Sequence, residues 1–344
     1  MVAGLTEGLG ASLQSYLEGE TELIFAPKVL CIESTNRCNF SCGHCYSSRS
    51  PTDITPSEFE QILGLNQDVV SGQSIWLHYS GEPLLHQKLE RLIETSALYD
   101  VAPMLSTNGS LMTIEKSGAI LKTPLCMIVF SLDAFYEDTF QKIRRNHLFN
   151  LIKANTLNFI NAREKSRNSH LHIQVQLVRT IQGPEEISRF VEFWQQSGVD
   201  SILLKKYSER AGRVRWKNIM PPTSPSFRAV RGPCFDPWHN LIILSDLSVV
   251  PCCADFGAEL AIGNIRNKRI QDIWNSTKMV KLRRSHIDQF PLPSLCLGCN
   301  EYRSGDSQQS LSTFVETNVS DWQRFAEDTR SILIKCNNKI ESFT

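Results

Sequence analysis

Three cysteines within eight residues, Cys38-Asn39-Phe40-Ser41-Cys42-Gly43-His44-Cys45, constrain this chain more than any other stretch of it. Thiols crowded so closely point to metal ligation more simply than to a disulfide framework, because the chain's eleven cysteines are an odd count in clustered spacings. A second group, Cys234, Cys252, Cys253, Cys296 and Cys299, ends in the CxxC pair Cys296-Leu297-Gly298-Cys299. Such a pair bites one metal or one cluster edge, and two further thiols complete a closed four-ligand site. Cys31 and Cys126 fall in expected strands and read as small buried hydrophobes.

The surroundings place both groups. From residue 28, β-rich runs alternate with amphipathic helical stretches, as parallel βα units do. Strands are expected at 29–35, 74–80, 103–107, 127–132, 172–179 and 201–207. Thr55-Pro56-Ser57-Glu58 predicts a helix start, with Thr55 as cap, Pro56 in the first turn and Glu58 closing a capping box. Ile187, Phe190, Val191 and Trp194 predict a core-facing helix, stopped by Gly198. So few units predict an open barrel and not a closed eight-stranded one. The expected fold is α/β, a partial (β/α)6 TIM-like barrel with a small C-terminal cysteine-rich domain. Its expected parts are an N-terminal extension (1–27), the barrel (28–218), a proline-rich linker (219–233), the cysteine-rich domain (234–300) and a polar tail (301–344) with a helix from Asp321. One hairpin is expected, Leu241–Leu244 with Val249–Cys252.

Among the 344 residues, 36 Lys and Arg balance 36 Asp and Glu, which leaves no global field for a polyanion and disfavours a nucleic-acid partner. The longest apolar run, Leu125–Phe130, falls far short of the ~18 residues of a membrane span. Glu7 and Glu18 spoil the N-terminus as a signal peptide, so the expected location is cytoplasmic, with no membrane partner.

The strand ends carry polar groups in order: Tyr79-Ser80-Gly81-Glu82-Pro83, Ser106-Thr107-Asn108-Gly109 and Ser131-Leu132-Asp133. A zinc knuckle using Cys42 and Cys45 would predict nothing about these ends, whereas βα barrels build active sites there. CxxxCxxC after the first strand, with SGEP, STNG and SLDA following, resembles the radical S-adenosylmethionine (SAM) superfamily. The resemblance implies that Cys38, Cys42 and Cys45 hold three irons of a 4Fe–4S cluster and that SAM chelates the fourth. It further implies that Gly81 and Glu82 receive the methionine ammonium, that Ser131 and Asp133 contact the ribose, and that Arg144 or Arg145 pairs with the SAM carboxylate. His44 stands where an aromatic residue beside the adenine is usual, and Asn108 joins the SAM-binding group. The alternatives are a plain turn for Asn108-Gly109 and a solvated helix face for Arg144 and Arg145. His78 and His86 read as structural histidines.

The second cysteine group, with Gly263-Asn264-Ile265 and Ile273-Trp274-Asn275 before the CxxC, resembles the SPASM or twitch extension of that superfamily. Only Cys336 follows Cys299, so the shorter twitch form fits, implying one auxiliary 4Fe–4S cluster on Cys234, Cys252, Cys296 and Cys299. A four-cysteine zinc ribbon is the alternative.

The combination resembles the aminocyclitol dehydrogenase type and implies oxidation of a small polar metabolite. SAM would be cleaved reductively, an auxiliary cluster would accept an electron, and a flavodoxin- or ferredoxin-type protein would supply the reductant. A peptide maturase or a radical epimerase, in which Cys253 would donate the hydrogen, uses the same parts. The short stretch before the first strand weighs against a built-in leader-peptide domain. A non-catalytic iron–sulfur carrier or sensor is the reading of another class. The basic run Lys205, Lys206, Arg210, Arg213, Arg215 and Lys217 either receives a carboxylate or phosphate or is a solvated loop.

Overall fold

The structure, a computed structural model, describes residues 3–46, 49–166, 170–209, 211, 213–214, 233–288, 291–299, 314–325 and 331–336. The apolar runs form six parallel strands that pair in chain order: β1 (Lys28–Ile32), β2 (Ser74–Trp76), β3 (Ala102–Thr107), β4 (Met127–Ser131), β5 (His172–Val178) and β6 (Ser201–Lys205). The expected strands overran at their C-terminal ends, where Thr35, Ser80 and Tyr207 already belong to loops. Side chains alternate between the two faces of the sheet. Val29, Ile75, Leu105, Ile128, Ile173 and Ile202 join the main core, where each buried aliphatic contributes about 1.5–3 kcal/mol. Cys31, Met104, Met127 and Val129 belong to separate small clusters beside Trp76.

Helices pack against the sheet as their sequences dictate. In Pro56–Leu65 the Thr55 hydroxyl accepts the Glu58 N–H, and the Glu58 carboxylate accepts the Thr55 N–H. In Pro184–Gln196, Phe190, Val191 and Trp194 are buried, and Gly198 follows with a φ of +85°.

The cysteine-rich region continues the same sheet: β7 (Asn240–Ile243) lies parallel to β1, with Lys28 opposite Asn240 and Ile32 opposite Ile243. The expected hairpin forms with antiparallel β8 (Ser248–Val250), and β9 (Gly263–Asn264) follows β8. The helix Ala3–Glu18 docks on this region: Tyr16 meets Phe235 and Trp238 edge-on and donates to the Pro233 carbonyl at 2.7 Å.

The tail corrects the sequence reading. Among the described residues, the stretch from Asp321 forms a 3-10 turn (Trp322–Phe325) where a helix was expected, and two strands are added, β10 (Phe314–Asn318) and β11 (Ser331–Lys335). β11 pairs antiparallel with β6 and buries Ile332 and Ile334. Residues 219–232 of the expected linker lie outside the described residues. Among the described residues, no helix is long and apolar enough to cross a membrane.

Candidate active site

The loop after β1 brings Cys38, Cys42 and Cys45 to a cavity of ≈350 Å³ at the C-terminal ends of the strands. His44, Gly81, Glu82, Asn108, Ser131 and Arg144, each expected from its motif, line the same cavity. Gly81 explains how the cysteine loop is seated. A Cβ there would lie 2.2 Å from the Thr35 carbonyl oxygen and 2.7 Å from that of Arg37, so only glycine lets the two loops touch. The adjacent Glu82 N–H donates to the Arg37 carbonyl at 2.7 Å, which fixes the chain one residue before Cys38.

The Glu82 carboxylate is buried and accepts the Leu84 N–H, the Thr107 hydroxyl and the Asn108 N–H. Burial pushes its carboxyl upward, and these donors oppose the shift. The Asn108 side chain is committed elsewhere: its amide donates to Asn39 Oδ1 at 2.9 Å and its oxygen accepts from Ser110. It thereby ties the third strand's loop to the residue after Cys38.

Of the two candidate arginines, Arg144 is buried against the cavity and Arg145 is an exposed helix end with a φ of +53°. Arg144 donates to the Ser131 carbonyl at 2.6 Å and to Cys42 Sγ at 3.6 Å, and pairs with Asp133 at 2.7 Å. Asp133 is the correction here: it does not line the cavity with Ser131, because its fully buried carboxylate faces Arg144, the Val178 N–H and, at 3.4 Å, His44. It stands behind the arginine as counter-ion, where the motif implied a ribose contact.

Two residues that the motifs did not flag join the structure around the cavity. Buried Glu33, at the end of β1, accepts from Arg49, from Ser80 N–H and Oγ–H, and from Ser245 N–H and Oγ–H. His78, read as structural, lines the cavity instead, while His86 is structural, with Nε2 2.8 Å from the Ile54 carbonyl. The only sequence signal for His78 was its place near the end of a strand.

Cys234, Cys252, Cys253, Cys296 and Cys299 meet in a second, mostly apolar cavity together with Asp236 and His286. Burial raises the Cys252 thiol well above its ordinary pKa and lowers His286 to about 4. Cys253 lines both cavities, whereas Cys252 lines the second alone. Above the first cavity Tyr79 stacks on Phe256 with centroids 4.4 Å apart, and the Tyr79 hydroxyl donates to the Cys253 carbonyl. Of the basic run, Lys205 reaches the first cavity and Arg213 pairs with Glu259; Arg210, Arg215 and Lys217 lie outside the described residues.

Comparison with known families places both regions. The radical SAM superfamily matches residues 32–173, and the iron–sulfur cluster-binding SPASM domain matches residues 234–300. The protein is a radical SAM enzyme with a C-terminal SPASM domain. A curated relative, the tungsten-containing aldehyde ferredoxin oxidoreductase cofactor-modifying protein of Pyrococcus furiosus, is 22% identical over 74% of this chain and 83% of its own. Streptococcus suis SuiB, solved bound to the precursor peptide SuiA, has the same fold, with a TM-score of 0.62 and 19% identity over 83% of this chain and 72% of that one. BtrN, solved with AdoMet and 2-DOIA, gives a TM-score of 0.55 and 17% identity over 80% of this chain and 94% of its own.

The radical SAM and SPASM domains imply iron–sulfur clusters and SAM, and the residues present fit them. Among the described residues no three His, Cys, Asp or Glu side chains gather as a single metal ion would require. Cys38, Cys42 and Cys45 line the first cavity, and an iron–sulfur cluster takes one thiolate per iron. Burial pushes Cys38 up to about 11 and Cys42 upward as well, so thiolates there need a metal's positive charge beside them. The buried Nε of Arg144 has no hydrogen-bond partner, which suits an anionic group.

Proposed function

We propose that this radical SAM enzyme modifies a peptide, with Cys38, Cys42 and Cys45 holding the SAM-binding cluster and Cys234, Cys252, Cys296 and Cys299 one auxiliary 4Fe–4S cluster. When bound, the reduced cluster and SAM supply a 5′-deoxyadenosyl radical that takes a hydrogen atom from a substrate carbon. The chain's own residues do the rest. Glu82 and Arg144 offer opposite charges to the amino-acid end of SAM, Ser131 offers a hydroxyl at the edge of the cavity, and the Tyr79–Phe256 stack keeps water from the reacting end.

One observation carries the reading: a single cavity reaches from the first cysteine group to Cys253, so a substrate held there lies between the two cluster sites. The peptide is favoured by the fold agreement with SuiB, which was solved holding its precursor peptide. A second reading, oxidation of a small polar metabolite with the auxiliary cluster as electron acceptor, is favoured by the match to nearly the whole of BtrN.

The test is anaerobic reconstitution, counting of iron and sulfide, and an assay for 5′-deoxyadenosine with a flavodoxin-type reductant. Replacing Cys38, Cys42 and Cys45 together by Ala should remove about half the iron and end 5′-deoxyadenosine formation. Full formation by that variant would overturn the proposal. Peptides and polyols encoded or made beside the gene then decide between the two readings, by which of them gains or loses hydrogen in the product.

A further inference from the structure

Behind the wall of the second cavity, the helix Thr277–Ile287 carries a guanidinium with no role in the sites described above. Arg283 is fully buried. Its Nε donates to the Pro237 carbonyl at 2.9 Å, Nη1 to the Thr21 carbonyl at 2.7 Å and to Asn275 Oδ1 at 3.3 Å, and Nη2 to the Trp274 carbonyl at 3.0 Å. Its guanidinium carbon lies 4.2 Å from the centroid of the Trp274 ring. Each of these partners is neutral, and among the described residues no carboxylate pairs with it. Neutral donors could serve the same oxygens, so the contacts account for the group's shape and not for its charge. Burial lowers Arg283 only to about 9, which leaves it charged at neutral pH, and a buried charge without a counter-charge is costly.

The second cavity lies one residue away. Pro237, whose carbonyl takes the Nε–H, lines it, and so do Leu282 and His286 of the arginine's own helix. His286 Nδ1 accepts the Cys234 N–H at 3.3 Å, so that helix is bonded to one of the five cysteines gathered there. Asp236 is the carboxylate of the same wall; it accepts the Asn240 amide at 3.2 Å and is not a partner of Arg283.

We propose that Arg283 is the counter-charge of the auxiliary cluster and raises its reduction potential. Four thiolates outweigh the positive charge of a 4Fe–4S core, so the loaded site is a net anion that grows more negative on reduction. A fixed buried cation behind the wall therefore favours the reduced form and makes the site a better electron acceptor. The inference rests on the reading of Cys234, Cys252, Cys296 and Cys299 as ligands of one such cluster.

The test is an anaerobic redox titration of the reconstituted protein followed by electron paramagnetic resonance, with the Cys38, Cys42 and Cys45 to Ala variant marking which signal is the auxiliary one. Arg283→Gln should weaken the auxiliary cluster's hold on its electron about tenfold, a fall of about 59 mV for one electron. Arg283→Lys keeps the charge, but its three donors cannot serve all four oxygens. It should lose stability in urea and hold a potential close to that of the wild type. Asn275→Asp sets a carboxylate against the guanidinium while leaving Arg283 intact, and should lower the potential as Arg283→Gln does; it decides the question if the glutamine variant does not fold. Arg284→Gln, on the exposed neighbour, should change nothing. An unmoved potential in Arg283→Gln or Asn275→Asp, or an equal fall in Arg283→Lys, would overturn the counter-charge. Metal and sulfide counts keep the two failures apart: zinc at the second site would overturn the cluster reading and the inference with it, whereas a 4Fe–4S cluster whose potential ignores these variants would overturn the inference alone.

Discussion

The carboxylate of Glu33 accepts both the backbone N–H and the hydroxyl of Ser245, each at 3.0 Å, across 212 residues of chain. Arg49, a few residues beyond Cys45, donates to both oxygens of the same carboxylate at 2.7 Å and to the Phe256 carbonyl at 3.0 Å. One buried acid thus fastens the cysteine loop, the second strand and the turn after β7 to one point. Glu33→Gln leaves the Arg49 guanidinium without its charge partner, and removing one member of a buried pair costs about 3–5 kcal/mol. Urea denaturation of the metal-free protein should show that loss. A change under about 1 kcal/mol would mean that Arg49 does not depend on Glu33.

Gly81→Ala should lower stability by about 1–3 kcal/mol, since the added methyl meets backbone carbonyls that cannot swing aside as a side chain would. The strain falls on residues 35–37, so cluster loading at Cys38, Cys42 and Cys45 should fall with it. Iron and sulfide content after reconstitution checks this. Normal loading would show that the loop can shift without losing its ligand geometry.

The lowered His78 gives the fold a pH dependence with a definite sign. Its folded pKa of about 3 lies below the ordinary value, so as pH falls below about 6.5 the unfolded chain binds a proton that the folded chain does not. Its contribution to stability is therefore complete above about pH 6.5 and is lost as pH falls towards 3, with a slope of up to about 1.4 kcal/mol per pH unit. Lys205 is the charged group that adds to the effect of burial. His78→Asn, whose Oδ1 can still accept the Ser106 N–H, should flatten this slope in urea titrations between about pH 7 and 5. An unchanged slope would assign the pH dependence to other groups.

Asp133 combines a left-handed backbone, φ +64°, with the buried pairing to Arg144. Asn tolerates that backbone and keeps an acceptor for the Val178 N–H, but lacks the charge. Asp133→Asn should cost about 3 kcal/mol, and Asp133→Ala roughly 1–2 kcal/mol more for the strained backbone. Thermal denaturation should order them wild type, Asn, Ala. Equal stability of wild type and Asn would remove Asp133 as the counter-ion of Arg144.

The sequence was most legible where chemistry is local. The capping box at Thr55 and Glu58, the stop at Gly198 and the six strand cores follow from neighbours within a few residues. Cys38, Glu82 and Ser131 were read as site residues from motifs that follow strands the alternation had located, and the structure brings the three to one cavity. Glu33 was not, since its partners lie on three separate loops and nothing beside it marks it as other than a polar residue ending a strand. Asp133 was found but misplaced, because its motif gives its neighbours in the chain and not the side to which its carboxylate turns. β10 and β11 were hidden for a related reason: Ile332 and Ile334 pair with β10 on one side and with β6, far away in sequence, on the other.

That edge also bears on how the protein is made. Lys206 N–H reaches the Ser331 hydroxyl, and 125 residues of synthesis separate the two. At roughly 5–20 residues per second, the open side of β6 waits on the order of 10 s for β11 after leaving the ribosome. During that interval it presents unpaired N–H and C=O groups to any other nascent chain. The region between the two strands, which carries the whole second cysteine group, is thus translated while the barrel still has a bare flank, and slowing or crowding its synthesis should show first as aggregation rather than as a badly built metal site.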